Sequence, residues 1–463
     1  MAGTDAAGSG AVGRLGGEDL FYVTSSGGIA LATSCYAVLA VIIGFGSPLA
    51  SVAGIAGAAL LCLVAASAIG EVASAYPSSP GLNTYLAGAF GPRPAMTVFF
   101  CYLFAIVCVA GLEIHVLSGI VAHYVPAADP RLVGLGFIAF VTAFFLRGMT
   151  MPRRIQMVAA SVLITVIAGL SALVLAGAAG RVPAEPAPPA EFGAVDPGTI
   201  GLIFGMSVFL FVGFEWVTPL GRSRAAYRGR IARAMRIAIL VLAANYLLFV
   251  LAFSGLPVAA DDSGAVLPQI AALDPIYGRA VGPVVIALAA LATWTSFNVA
   301  LMGGSMLLYM VAREGTLPRP LTRISAETGA PLGAIATIAG LSAAMALVVS
   351  FRDDAIVLAR IASIVACGAY AALMAAVLVL RRRGYDNRHV VASRVPSAVV
   401  AAVGVAFALL GVASLASDFS MPAAVLLALI LVCAFLLARR AARRPRAAGG
   451  AASPTRMTEG IRR

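Results

Sequence analysis

The sequence predicts an all-α polytopic membrane protein of about 12 transmembrane helices, and three observations carry that reading. The 463 residues are 61% hydrophobic and only 11% charged, a balance no water-soluble surface of this size tolerates. Apolar runs of about 17 to 25 residues, enough to cross a bilayer as helices, recur from Phe21 to Ala438. The third observation is where the basic residues fall between those runs. All 32 of them are arginine. With the N-terminus placed in the cytoplasm, only Arg131, Arg181, Arg279, Arg352 and Arg360 lie outside, and the other 27 face inward. The opposite orientation would reverse nearly every one of these placements. The expected location is the cytoplasmic (inner) membrane, multi-pass, with both termini cytoplasmic.

Taken in order, residues 1–20 form a Gly/Ala-rich polar cytoplasmic tail. No basic start followed by a short apolar core marks a cleavable signal there. The first five expected spans are 22–46, 51–75, 96–122, 132–146 and 155–179, within a unit of 21–180. Residues 181–198, with Pro183, Pro186, Pro188, Pro189 and Pro197, read as a stiff outer loop. Spans six to ten are expected at 199–220, 235–255, 280–310, 332–350 and 355–380, within a unit of 199–381. The connection 221–236 carries Arg222, Arg224, Arg228, Arg230, Arg233 and Arg236 and is the strongest inward marker. Spans eleven and twelve, 397–416 and 421–438, lie in the unit 395–438. The segment 439–463 is a basic cytoplasmic tail beside anionic lipid.

The formal charge of +12 follows from these short loops, so nucleic acid is not an expected partner. Cys35, Cys62, Cys101, Cys108, Cys367 and Cys433 lie within apolar runs without metal-like spacing and read as small core residues. No metal or cofactor is expected, and no nucleophile motif or catalytic cluster suggests an enzyme. No soluble domain is large enough to hold a separate site, so the chemistry belongs inside the bundle.

Three stretches carry a more specific signal. They are AIGEVASAYPSSPGLNTYLAGAFGP at 68–92, FLFVGFEWVTPL at 209–220, and SFNVALMGGSMLLYMVAREGTLPRPL at 296–321. A weaker fourth is LVLRRRGYDNRHVVASRVP at 378–396. In this order they resemble the amino acid–polyamine–organocation (APC) superfamily of transporters, covering its second helix and inner loop, its sixth helix, and its eighth helix with the following loop. The resemblance implies two inverted five-helix repeats plus two peripheral helices, with spans 1 and 6 interrupted at mid-membrane. Unwound backbone is tolerated at that depth only where it lines a cavity. It also implies a secondary permease for an amino acid, proton-coupled or exchanging, with an amine or polyamine carrier as the alternative. The expected partners are the small-molecule substrate, membrane lipid and a coupling proton. A membrane receptor is the remaining class, and the chain lacks the output domain that role requires.

The resemblance places the span 6 interruption within Phe209–Gly213, with Phe209, Phe211, Val212 and Gly213 as substrate-site residues. Counting back from Glu71 through Pro48, the family's Gly-Ser-Gly-Ile-Phe of span 1 falls on Ala32-Thr33-Ser34-Cys35-Tyr36. Tyr36 then stands for the Phe, and the glycines are missing. Gly44-Phe45-Gly46 lies too close to Glu71 and precedes the outer turn at Pro48.

Acids inside a membrane are functional candidates by default. Glu215 matches the family's span 6 acid and is expected in a gate or proton-linked network. Glu71, near the inner end of span 2, is either functional or structural. Glu113, well inside span 3, has no family counterpart. It either meets a substrate ammonium, titrates with coupling protons, or pairs with a polar neighbour. His115 is two residues on, about 200° round the helix, and reads as a packing residue. Ser296 and Asn298 either line the site or bond between helices. The chain has no lysine, so the span 5 lysine that some relatives use as a proton-sensitive switch has no counterpart. Gly221-Arg222 also stands where the family often has two acids.

Overall fold

The computed structural model describes residues 17–27, 31–45, 47–75, 82–147, 153–176, 197–220, 230–254, 267–313, 315, 317–351, 355–383, 395–416 and 421–443. Among these the regular elements are helices, with no strand. Among the described residues ten helical segments are long and apolar enough to cross a membrane, and two shorter apolar helices, Thr33–Gly44 and Pro130–Leu146, accompany them. The all-α polytopic class is therefore borne out. The outer loop, most of the 221–236 connection and the two tails lie mainly outside the described residues.

The first span is two helices, α1 (Gly17–Gly27) and α2 (Thr33–Gly44). Next come α3 (Pro48–Ala75) and the short α4 (Leu82–Phe90). Gly91, at φ +87°, makes a turn that favours glycine, and Pro92 at N1 starts α5 (Pro92–Tyr124). Asp129 caps α6 (Pro130–Leu146) by accepting from Arg131 N at 2.8 Å. After α7 (Arg153–Leu175), the sixth span is α8 (Pro197–Phe209) continued by a 3-10 helix, Phe214–Leu220. The remaining helices are α9 (Arg230–Phe253), α10 (Pro268–Tyr277), α11 (Gly282–Arg313), α12 (Leu332–Val349), α13 (Val357–Arg382), α14 (Ser397–Ala416) and α15 (Met421–Arg443).

Two short helices escape the sequence reading. In α4, Leu82, Tyr85, Leu86 and Ala89 are buried at helical spacing, a signal too short for any search tuned to bilayer-length runs. The other is α10, which no bilayer-length run marks either. The seventh span also starts earlier than expected. Arg230, Arg233 and Arg236 belong to α9 rather than to the loop, because Ile231, Ala232, Ala234 and Met235 turn a buried face beneath them.

The bundle is centred on α5, which buries most of its length, whereas α7, α14 and α15 leave most of theirs exposed. Val405, Leu409, Val412, Leu429 and Phe435 are among the exposed apolar side chains of the last two, a surface made for lipid rather than water. Cys433 is exposed there, contrary to its expected core position, while the other five cysteines are buried, and all six are free.

Each end of the bundle is tied by polar contacts. At one end Arg381 of α13 donates from Nε to Glu71 Oε1 at 2.9 Å and from Nη2 to Oε2 at 2.5 Å. Arg381 Nη1 also reaches Ser397 Oγ at 3.1 Å, and Arg383 Nη1 reaches Gly88 O at 2.7 Å. Glu71 is thus a clamp between α3 and α13. At the opposite end of α5, Asp274 of α10 sits 2.6 Å from His123 Nε2 and accepts from Tyr124 Oη at 2.8 Å.

Candidate functional site

The interruption of the sixth span occupies Leu210–Gly213, within the stretch expected for it. The chain there tightens rather than unwinding: Phe211 N bonds Val208 O, and Val212 N bonds Phe209 O, both at 3.1 Å. Gly213 adopts φ +101°, a conformation side chains with a Cβ rarely take. Carbonyls freed by the interruption find side-chain donors. Tyr246 Oη donates to Leu210 O at 3.2 Å, and Ser26 Oγ, at the end of α1, donates to Phe214 O at 2.7 Å. The first and sixth spans are thereby joined at their interruptions.

In the first span α1 stops at Gly27 and α2 starts at Thr33, with residues 28–30 outside the described ones. Ala32-Tyr36 is therefore not the interruption itself; Thr33, Ser34, Cys35 and Tyr36 form the first turn of the second half-helix. A glycine, Gly27, closes α1. Between Phe21 and Glu71 the run has no charged residue to anchor an alignment, so an offset of more than one turn left no sign in the sequence.

A helix start leaves its first amides unpaired, and Ala32 at the N-cap offers no side-chain acceptor. The acceptor comes from another helix. Glu113 of α5 takes Thr33 N at 3.0 Å and Thr33 Oγ1 at 3.1 Å on Oε1, and Ser34 Oγ at 2.8 Å on Oε2. Thr33 Oγ1 also lies 3.4 Å from Thr293 Oγ1 of α11. Glu113 is completely buried, and among the described residues no cation pairs with it. Tyr36 points elsewhere, donating to Asn245 Oδ1 at 3.2 Å and packing on Tyr246 and Phe249.

A small cavity lies beside the interruption of the sixth span, lined by Ile106, Val109 and Ala110 of α5, Val212 and Gly213, Trp216, and Ser296, Phe297 and Ala300 of α11. Trp216 and Ile106 also line a second cavity with Tyr102 and Glu215, so one layer of side chains divides the two. Glu215 accepts from Tyr102 Oη, and from Tyr370 Oη at 2.8 Å, while Trp216 Nε1 donates to Tyr102 Oη at 3.2 Å. Trp216 lies close to α11 because Gly303 has no Cβ; one there would strike the indole ring.

Of the expected site residues, Val212, Gly213 and Ser296 line the cavity. Phe209 is buried away from it, and Phe211 packs edge-on against Tyr246 with ring centres 5.8 Å apart. Asn298, two residues past Ser296, turns to another face and donates to Gln156 Oε1 at 3.3 Å. His115 is half-buried, two residues from Glu113 and on a different face of α5. Tyr102, Trp216, Thr293 and Tyr370 were not singled out from sequence. A signal for one of them was present: positions 102, 106, 109, 110 and 113 follow helical spacing, so counting back from Glu113 reaches Tyr102.

Interrupted helices converging on buried acids, inside a bundle with a lipid-facing exterior, define a polytopic membrane transport protein. A family model for amino acid permeases matches residues 19–446. The chain belongs to that family, which is one of transporters and lies within the APC superfamily. No curated protein matches the chain.

Proposed function

We propose that this protein is a secondary active transporter that carries a small solute bearing an amino group, an amino acid or an amine, across the cytoplasmic membrane by alternating access. The observation that carries the reading is the pair of interrupted spans joined at their interruptions, with Gly213 on a cavity wall and the buried Glu113 bonded to the start of α2. In this reading residues 21–180 and 199–381 are the two inverted repeats, each opened by an interrupted span. The layer of Trp216 and Ile106 between the two cavities forms a gate. Thr33, Ser34, Val212, Gly213 and Ser296 lie closest to the solute, and Cys35, Tyr36, Phe209, Phe211 and Asn298 support them. Counterflow of labelled solute into proteoliposomes tests the reading. Its absence for every amino acid and amine offered would reject it.

Glu215 is the coupling residue of this proposal. Its carboxylate is met by two tyrosine hydroxyls and, among the described residues, by no cation, which leaves proton binding as the available way to neutralise it. Glu215→Gln keeps the shape and removes the titration. The variant is expected to lose accumulation driven by a proton gradient while retaining counterflow. Gradient-driven uptake at the wild-type level would remove Glu215 from the coupling path.

The orientation follows from the arginine distribution. A reporter placed at the C-terminus or in the 221–229 connection is expected to read as cytoplasmic, and one in 183–197 as external. An external signal from the Arg-rich connection would overturn the assignment of sides.

A further inference from the structure

Two neighbouring serines hold α1, and they hold it to different parts of the bundle. Ser26 Oγ donates to Phe214 O at 2.7 Å, which ties α1 to the 3-10 helix after the interruption of the sixth span. Ser25, fully buried, accepts on Oγ from Gln156 Nε2 of α7 at 3.4 Å. Gln156 Oε1 in turn accepts from Asn298 Nδ2 of α11 at 3.3 Å. The Gln156 amide thus bridges α1 and α11.

Although α7 leaves most of its length exposed, Gln156, Ala159, Ala160 and Leu163 are buried at helical spacing. An amide kept from water needs partners, and those of Gln156 lie at the long end of the hydrogen-bond range, whereas the Ser26 bond is short. The unequal lengths decide which contact yields. Parting α1 from α7 gives up one long bond, which water entering the seam can replace. Parting α1 from the sixth span gives up a short bond to a carbonyl freed by the interruption.

We infer that Gln156 is a positioning residue of the transport cycle, a latch that holds α1 against α7 and α11 and keeps the cavity closed on the α1 side. That side also carries the Glu71–Arg381 clamp and is cytoplasmic in the orientation proposed above. The cavity opens there when Ser25 leaves Gln156. The Phe214–Leu220 helix then moves with α1, and Asn298 keeps the amide on α11. Asn298 lies two residues from Ser296 on the cavity wall, so the latch and the wall share one helix. This inference rests on the alternating-access reading and names the contact that governs its inward step.

The test reads which face of the membrane reaches the cavity. Ser296→Cys is introduced into the full-length protein, alone or with Gln156→Met, which keeps the side-chain length and removes both hydrogen bonds. A membrane-impermeant maleimide is offered to right-side-out and to inside-out vesicles. Labelling of the peptide carrying residue 296 is resolved by mass from that of the six native cysteines. Gln156→Met is expected to raise labelling from the cytoplasmic face roughly threefold or more, and to lower it from the outer face. Ser25→Ala should shift the two faces in the same directions, and adding it to Gln156→Met should change little, since both break one bond. If Gln156→Met does not insert, Ser25→Ala alone decides. Labelling raised from both faces, as general loosening would give, or an unchanged ratio, overturns the latch and leaves alternating access standing. Labelling from one face only, or from neither, in every variant rejects alternating access and the latch with it.

Discussion

Replacing Gly213 with valine is expected to reduce uptake to background while leaving membrane insertion intact. The backbone at this position has φ +101°, and a β-branched side chain there costs about 1–3 kcal/mol in backbone strain alone. The cost falls on the interruption rather than on the helices flanking it, so the spans still insert. What changes is the cavity wall, which Gly213 forms together with Val212 and Trp216. A valine both fills space there and pulls the Phe214–Leu220 helix off its register, displacing Glu215 and Trp216. Gly213→Ala, with the same φ penalty but less bulk, should fall between the two. Uptake into proteoliposomes, normalised to inserted protein, gives the answer. Near-normal transport by a well-inserted Gly213→Val protein would mean the solute passes elsewhere.

The second large effect is on stability. Arg381→Ala is expected to cost about 3–5 kcal/mol, because it removes the guanidinium that grips both oxygens of the buried Glu71 carboxylate. Both side chains are nearly out of contact with solvent, at 5% and 9% exposure, so water cannot take over the role of the guanidinium. The same change releases Ser397 at the start of α14, loosening α3, α13 and α14 together. Arg381→Lys should recover only part of the loss, since an ammonium cannot reproduce the two-pronged geometry. The double variant Arg381→Ala with Glu71→Ala should be less damaged than Arg381→Ala alone, as it removes the buried carboxylate together with the guanidinium. Tm in detergent measures all three. An unchanged Tm in Arg381→Ala would show that the pair is solvated in the working protein.

The two predictions differ in how visible their basis was beforehand. Gly213 stands out in the sequence, since a glycine between aromatic residues and an acid, inside an apolar run, matches a family motif and has a physical reason to be there. The Glu71–Arg381 pair does not. Glu71 was a candidate with two roles open, and Arg381 read as one more inward arginine. They are 310 residues apart, and no local pattern reports such a meeting. The short helix α4 was legible in principle, through the burial spacing of Leu82, Tyr85, Leu86 and Ala89, but it lies below the length at which a bilayer imposes itself on the sequence.

What the sequence by itself determined is the all-α polytopic class, most of the spans and the place where the sixth one is interrupted. The bilayer is the reason for the spans: backbone groups in hydrocarbon must bond within their own segment, so run length is read directly as structure, while the family resemblance of residues 209–220 located the interruption. What only the tertiary structure decided is which side chains face one another across the bundle. Glu113 reaches Thr33 and Ser34, 80 and 79 residues away, and Glu215 meets Tyr102 and Tyr370 on two other helices. Such hydrogen bonds reach only about 3 Å, so they depend on the rotation and depth of each helix against its neighbours. In a chain whose helices are apolar on every side, periodicity leaves both undetermined, and packing alone sets them.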